Sequence, residues 1–202
     1  MAGNKDLIEQ YQGIHSSREY GNTSVKNLRF IRPEIAILKP ASIIDYGCGQ
    51  SNLVDLLGRP YILERYRYDP AIPEYSELPA ENVELLVNID VLEHIEEQDL
   101  DEVLTEMSNI CRNALIIVDL KPAELTLADG RNAHVTLRSA EWWRERLSKH
   151  FGTLYRVKTP RSSRAGFRTW KRSPAQSVQY YVLRLKENLT YYFFRLFGIK
   201  RY

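Results

Sequence analysis

The chain alternates short runs of apolar residues with stretches in which apolar residues recur every three or four positions. A short apolar run is typical of a buried strand, whereas the longer period is typical of an amphipathic helix. Strands that alternate with helices favour an α/β fold with a mostly parallel sheet. We therefore expect one main domain of this class, with helices on both faces of the sheet.

The same pattern predicts the individual elements. Strands are expected at about 42–46, 65–68, 84–89, 114–120, 153–158 and 177–185. Helices are expected at about 5–39 with a break at Tyr20-Gly21, at 53–57, at 100–110, from the N-cap Ser139 and from about Glu187. Segments 121–138 and 160–174 are interpreted as loops, since Pro122 and Asp129-Gly130 are turn signals in the first and basic residues fill the second.

Charge divides the chain into two unequal parts. Residues 1–150 carry 16 Lys+Arg and 25 Asp+Glu, a net charge of −9, whereas residues 151–202 carry 12 and 1, a net charge of +11. The basic part favours an anionic partner, and the alternative is a solvated basic face. Cys48 and Cys111 match no metal or disulfide pattern and are interpreted as free thiols.

Three segments are predicted at the level of domains. Residues 1–185 form the main domain, and within it residues 1–39 form a helical lid in which Tyr11 and His15 either reach over the site or only pack. Residues 186–202 form an amphipathic basic helix, a core or dimer contact in the favoured interpretation and a peripheral membrane contact in the alternative. MAGNKDLIEQ lacks an apolar signal core, and no apolar run approaches the roughly 18 residues of a membrane span, so a cytoplasmic protein is expected.

One short segment combines a buried strand, an acid and two glycines. In SIIDYGCGQSN, Asp45 ends the apolar run and is followed by Gly47 and Gly49. Glycine lets the backbone approach a ligand closely at the first strand-to-helix turn of a parallel sheet. Asp69 ends the next strand, where a carboxylate can bind a ribose diol. Asn52 replaces the third glycine of the dinucleotide motif and no phosphate-binding lysine follows, so a ligand without phosphates is favoured.

Four ordered motifs resemble those of class I S-adenosylmethionine-dependent methyltransferases. They are IIDYGCGQSN, RYRYDPAIPEY, VELLVNIDVLEHIEEQDLDEVLTEM and NALIIVDL, and they cover most of residues 40–150. The resemblance implies a Rossmann-like sheet with an antiparallel last strand and S-adenosylmethionine as cofactor. It implies cofactor contacts at Asp45, Tyr46, Gly47, Cys48, Gly49, Asp69, Pro70, Asn88 and Asp90. Too few residues separate Asp69 from Glu84 for the customary helix and edge strand, so the sheet is expected to be shortened beside its second strand.

Residue types that bind metals follow the third predicted strand. DVLEH brings Asp90, Glu93 and His94 together, and His134 comes from another loop at the same edge of the sheet. The set resembles the Mg²⁺ site of small-RNA 3′-end methyltransferases and of some ubiquinone-pathway O-methyltransferases. The resemblance implies that Asp90, Glu93, His94 and His134 bind Mg²⁺ or Mn²⁺. In the alternative, LEH serves capping and packing and His134 is a general base, because imidazole titrates close to neutral pH.

The acceptor is predicted from the C-terminal part of the chain. Its basic loop, expected above the site, carries Arg161, Arg164, Arg168, Lys171 and Arg172, which favour an anionic acceptor. LADGRNAHVTLRSAEWW resembles a stretch of bacterial and phage methyltransferases of the type 11/12 kind from surface-polysaccharide clusters, which implies O-methylation of a glycan hydroxyl. The alternatives are the ribose of an RNA, which the acidic main domain disfavours, and a non-catalytic subunit that binds the cofactor and a partner.

Overall fold

The computed structural model describes residues 5–17, 26–79 and 81–198, and within them helices and strands alternate. The helices are α1 Lys5–Ser17, α2 Leu28–Leu38, α3 Leu53–Leu56, α4 Leu100–Ile110, α5 Ala140–Phe151 and α6 Pro174–Leu196. The strands are β1 Ser42–Tyr46, β2 Glu64–Tyr68, β3 Leu85–Ile89, β4 Ala114–Asp119, β5 Tyr155–Val157 and β6 Arg164–Arg168. Short 3₁₀ turns lie at Pro73–Tyr75 and Leu92–His94.

The strands form one sheet in the order β2-β1-β3-β4-β6-β5. Strands β1 to β4 pair in parallel, and β6 is antiparallel to both of its neighbours. This arrangement confirms the mostly parallel sheet with an antiparallel last strand. In the described part of the chain no strand pairs with the outer side of β2, so the shortened edge is confirmed as well.

Both faces of the sheet are covered by helices. On one face Ile44 and Leu86 pack with Met107 of α4 and Trp143 of α5. On the other face the alternate residues, among them Ile43 and Leu85, pack with residues of α2 and α3. All residues of β1 and β3 are buried, which is why these strands appear in the sequence as continuous apolar runs.

The N-terminal region contains two helices, α1 and α2, within the segment 5–39 that the sequence predicts to be helical with a break. Helix α1 packs on the segment after β4 through Leu7, Leu127 and Ala133, whereas α2 packs on the sheet. The predicted break at Tyr20-Gly21 lies outside the described residues. Among the described helices, none has both the length and the apolar character needed to cross a membrane.

The predicted strand at 177–185 is wrong, because these residues belong to α6. Ser173 caps the helix: its side chain accepts a hydrogen bond from the Gln176 backbone, while the Gln176 side chain accepts one from the Ser173 backbone. Pro174 at the first helical position completes a start signal that outweighs the strand propensity of the residues after it. The predicted helix from Glu187 is the second half of α6.

The predicted basic loop at 160–174 is also wrong, because it contains β6. Arg164 begins β6 beside Asp119, at the carboxyl edge of β4, whereas Arg168 ends it beside Leu115 at the opposite edge. There the Arg168 guanidinium lies 3.3 Å from the buried Glu34 carboxylate. The basic residues therefore do not form one surface above the site.

Candidate active site

The turn after β1 is fixed to the end of β2. The backbone N–H groups of Gly47 and Cys48 both donate to the Tyr68 carbonyl, over 2.7 and 3.0 Å. The N–H of Gly49 donates to the Asp69 carboxylate over 2.8 Å. Gly47 and Gly49 have φ angles of +80° and +50°, in the left-handed region that glycine adopts without strain. The glycine turn and Asp69 are therefore one structural unit.

Asp45 and Asp69 are both buried and lie close enough for the charge of one to act on the other. The Asp69 carboxylate accepts hydrogen bonds from the N–H groups of Gly49 and Ala71, over 2.8 and 2.9 Å, out of about four that a carboxylate can accept. One Asp45 oxygen has no hydrogen-bond partner among the described residues. Burial, followed by the negative charge of Asp69, raises the pKa of Asp45 to about 7. A positively charged ligand group would stabilise the ionised form of Asp45.

Gly47→Ala is expected to lower the free energy of unfolding by about 2–4 kcal/mol. A Cβ atom at this position would lie 2.6 Å from both methyl carbons of Val91, and the positive φ adds strain. Gly13→Ala in α1 is the control, because its new Cβ has no neighbour within 4 Å. Urea unfolding measures both variants, and an unchanged midpoint for Gly47→Ala would contradict the close approach of Val91.

The other predicted cofactor residues lie around the same edge in different roles. The side chain of Tyr46 points away into the core, where its hydroxyl donates to Glu106, so only its backbone faces the turn. Burial, followed by the charges of Asp45 and Asp69, raises the pKa of the Cys48 thiol, which stays neutral. Asn88 is buried and donates to the Tyr46 carbonyl over 2.8 Å. Pro70 and Asp90 directly follow Asp69 and β3 at this edge.

Asp90 is held by an arginine rather than by the metal-binding residue types. Its carboxylate lies 2.7 Å from the guanidinium of Arg164, which also lies 3.3 Å from Asp119. All three side chains are largely buried. Asp90 has a positive φ of 57°, so the ion pair stabilises a backbone conformation that a residue other than glycine adopts at a cost. Arg164 is thus engaged inside the protein and does not lie on an open basic loop.

The structure brings together three of the four predicted metal ligands. Ligand atoms of Glu93, His94 and His134 all lie within 4.8 Å of one another, whereas Asp90 does not join them. Glu93 and His94 lie in the 3₁₀ turn after β3, and His134 comes from the loop after β4. Carboxylate and imidazole donors of this kind suit a divalent ion.

The hydrogen bonds of the two imidazoles determine which nitrogen is left for a ligand. Nδ1 of His134 contacts the Lys121 carbonyl, and Nδ1 of His94 lies 2.9 Å from the Ala133 carbonyl. A carbonyl only accepts, so each Nδ1 carries the proton and each Nε2 keeps its lone pair. Metal-binding histidines usually show this pattern. Burial lowers the pKa of His94 to about 3, with the charge of His134 next in effect, so His94 is neutral at neutral pH.

Glu93 is the third member of the cluster, and only one of its two carboxylate oxygens accepts a hydrogen bond from the described residues. One oxygen accepts a hydrogen bond from the Asp119 N–H over 2.9 Å, and the other has no partner among the described residues. The side chain is fully buried, and burial followed by the charge of Asp90 raises the pKa of Glu93 well above its ordinary value. A divalent cation would compensate both the missing hydrogen bond and the buried charge.

Helix α1 contacts this edge of the sheet at two places. The Tyr11 hydroxyl lies 2.6 Å from Nδ1 of His94, and the Gln50 side chain donates to the His15 carbonyl over 3.1 Å. Burial lowers the pKa of His15, and the charge of Asp69 acts in the opposite direction, so the imidazole lies near Asp69. Tyr11 therefore contacts His94 of the cluster, whereas the sequence leaves open whether Tyr11 reaches the site or only packs.

Sequence reasoning missed Asp119 and the role of Arg164. A signal for Asp119 exists: it is the last residue of the buried strand β4, so it reaches the same edge of the sheet as Asp45, the next-to-last residue of β1. Arg164 has no comparable signal, because its pairing depends on a strand that the sequence pattern does not reveal.

Comparison with known proteins gives similarity at the level of the fold. No protein-family model matches the chain, and no curated protein matches it. Among solved structures, 1,6-didemethyltoxoflavin-N1-methyltransferase of Burkholderia thailandensis is similar with a TM-score of 0.56 and 16% identity, over 83% of this chain and 89% of that one. The methyltransferase domain of bacterial CtHen1 gives 0.53 and 15%, over 80% and 98%. DhpI in complex with SAH gives 0.55 and 13%, over 82% and 97%.

The chain has the fold of the class I methyltransferases. This similarity spans most of the chain. The antiparallel strand β6 lies between β4 and β5, which agrees with the antiparallel last strand that the resemblance to class I methyltransferases implies. Two of these structures contain bound S-adenosylhomocysteine. At identities of 13–16% the similarity shows the fold alone, so the reaction and the acceptor have to be inferred from the site.

Proposed function

We propose that the chain is an S-adenosylmethionine-dependent O-methyltransferase that acts on a sugar hydroxyl of a surface polysaccharide or related glycan. The observation that carries the proposal is that two groups lie at one edge of the sheet: Asp45 and Asp69 with the glycine turn, and the cluster of Glu93, His94 and His134. The first suits the cofactor, and the second suits activation of a hydroxyl.

Asp45, Asp69 and the glycine turn have the features that the cofactor requires. Asp69 is held by backbone N–H groups, and its remaining lone pairs would accept hydrogen bonds from the two ribose hydroxyls. Asp45 would lie toward the positively charged methionine part, where its charge is compensated. The glycine turn lets the backbone come close to a ligand, and its Gly49 N–H holds the Asp69 carboxylate in place. S-adenosylmethionine supplies a methyl group bound to a positively charged sulfur.

The histidine cluster supplies the groups that act on the acceptor. Without a metal, Nε2 of His134 has its lone pair available and can accept the proton that the hydroxyl loses as the methyl–sulfur bond breaks and the methyl–oxygen bond forms. Glu93, His94 and His134 would hold a Mg²⁺ or Mn²⁺ ion, which when bound lowers the pKa of a coordinated hydroxyl. The Tyr11 hydroxyl contacts Nδ1 of His94 and so fixes the orientation of the His94 ring within the cluster.

The charge around the site favours a sugar without phosphate groups. The site contains the acids Asp45, Asp69 and Glu93, and Arg164 is already paired with Asp90 and Asp119. A polynucleotide would meet acidic groups here instead of phosphate-binding ones. An RNA ribose is the second candidate acceptor, supported by the Glu-His-His cluster, since a divalent ion there could bind vicinal hydroxyls.

Incubation with methyl-labelled S-adenosylmethionine tests the proposal on two acceptor pools, purified surface polysaccharide and total RNA. We expect label in the polysaccharide, and none with Asp69→Ala. Label in RNA alone would overturn the glycan acceptor and leave methyl transfer standing. If neither pool is labelled and calorimetry detects no binding of S-adenosylmethionine to the wild type, the methyltransferase proposal is rejected.

A further inference from the structure

Helix α6 carries an exposed apolar stripe along its whole length. Its central residues are spaced alternately by four and three positions and are 59–79% exposed: Val178, Val182, Leu185, Leu189, Tyr192 and Leu196. Tyr181, Phe193 and Phe197 widen the stripe and are also exposed. Contiguous apolar patches of this kind usually mark an interaction surface. A helix of 23 residues is about 35 Å long, so the stripe is extensive.

The opposite face of α6 is fixed to α2, so the stripe cannot turn inward. Tyr180 is buried, and the Arg184 guanidinium stacks 4.1 Å from the centroid of the Phe30 ring. Glu187 lies 3.9 Å from Arg32 of α2. These contacts are on the side of the helix away from the stripe, which therefore faces outward.

The contacts also give the direction of α6. Near its start Arg172 lies 3.9 Å from Glu34, and near its end Arg29 stacks 4.0 Å from the Tyr191 ring centroid. Helix α6 therefore runs antiparallel to α2. Since α2 ends where β1 begins, at the amino edge of the sheet, the last turns of α6 lie at the carboxyl edge. The C-terminal half of the stripe thus lies on the same side of the protein as the candidate active site.

The charges beside the stripe indicate what covers it. At about 100° of rotation per residue, Lys186 lies along one margin and Arg195 along the other, and both are exposed. Glu187 is the only acid in residues 151–202, and it faces α2. A second copy of α6 would bring basic margins together without an acid to pair with them, which costs association energy. An anionic lipid surface complements both the apolar stripe and its basic margins.

We propose that α6 lies in the headgroup region of an anionic membrane. The stripe inserts between the lipids, while Lys186 and Arg195 extend to the lipid phosphates. Tyr192 and Phe193 suit this position, because aromatic side chains favour the boundary between headgroups and acyl chains. This inference is independent of methyl transfer. It would place the site beside a membrane surface, where lipid-linked acceptors are presented.

Co-sedimentation with vesicles tests the proposal on the full chain. We expect the wild type to sediment with vesicles of phosphatidylcholine mixed with phosphatidylglycerol, less with phosphatidylcholine alone, and less as salt increases. Leu189→Asp combined with Leu196→Asp should abolish sedimentation. Lys186→Gln and Arg195→Gln should each weaken the partition coefficient about fivefold on anionic vesicles only. Leu63→Asp is the matched control, since Leu63 is 78% exposed elsewhere on the surface and should have no effect.

A wild type that stays in solution with anionic vesicles would overturn the proposal. If it is instead a dimer in analytical ultracentrifugation and the paired Asp variant is a monomer, the stripe belongs to a second copy. Calorimetry with S-adenosylmethionine separates this result from the proposed function: the paired variant should bind the cofactor as the wild type does, which also shows that it is folded.

Discussion

Asp45→Asn is expected to bind S-adenosylmethionine about 10–100-fold more weakly than the wild type, and yet to unfold less readily at pH 8. The loss of affinity follows because an amide cannot compensate the positive charge of the cofactor. The gain in stability follows because burial and the charge of Asp69 make the ionised form of Asp45 unfavourable in the folded protein. Asparagine has nearly the same shape and carries no charge.

The pH dependence of this effect has a definite sign. The pKa of Asp45 is about 7 in the folded protein, whereas that of an unperturbed aspartate in the unfolded chain is 3.8. Between these values the folded state binds more protons than the unfolded state, so stability falls as pH rises from about 4 to about 7. The Asp45→Asn variant loses this slope, and its advantage in free energy of unfolding reaches about 4 kcal/mol at pH 8.

Cofactor affinity should change in the opposite direction. In the wild type it increases as pH rises through about 7, because Asp45 becomes ionised, and in the variant this step disappears. Calorimetry and urea unfolding across pH measure both effects. Glu102→Gln, on the exposed face of α4, is the control and should change neither quantity. Wild-type affinity in Asp45→Asn would show that the carboxylate does not face the cofactor.

The parts of the fold that sequence predicts are those in which local pattern and tertiary packing agree. Strands β1, β3 and β4 are buried on both faces, so their apolar runs appear without ambiguity. Strand β6 is the opposite case. Its ends are Arg164 and Arg168, whose charges are compensated by Asp90, Asp119 and Glu34, residues distant in the chain. A pairing of this kind leaves no periodic signal.

The prediction of a strand in place of the first half of α6 is wrong for a different reason. Its middle, VQYYVLRL, has the β-branched and aromatic composition of a strand, and both of its faces carry apolar residues. The helical period becomes visible only once Tyr180, Arg184, Glu187 and Tyr191 are known to face α2. The capping box at Ser173 is the local signal that would have placed the helix start.

The candidate site was predictable where acids end buried strands. Topology alone brings Asp45, Asp69 and Asp90 to one edge, because parallel strands share the direction in which they end. Partner choice within that edge was not predictable. Whether Asp90 joins the histidines or pairs with Arg164 depends on β6, which approaches from the far end of the chain.

If a metal binds, Glu93→Gln and His134→Gln are each expected to lower kcat/KM about 10²-fold or more, because each variant removes a ligand of the ion. Glutamine at position 93 keeps an oxygen for the Asp119 N–H but removes the charge that a divalent ion requires. Glutamine at position 134 removes the Nε2 lone pair. We expect chelation to inactivate the wild type, and Mg²⁺ or Mn²⁺ to restore it.

The Glu93→Gln variant separates this expectation from catalysis by a lone base. The raised pKa of Glu93 favours its protonated form, and glutamine closely resembles a protonated glutamate. Without a metal, Glu93→Gln should therefore keep full activity while His134→Gln still loses it, and chelators should have no effect. His150→Gln is the control for histidine loss, because His150 pairs with Asp101 away from the site. Thermal unfolding of Glu93→Gln should show no loss of stability, so a lower kcat/KM would report on chemistry and not on the fold.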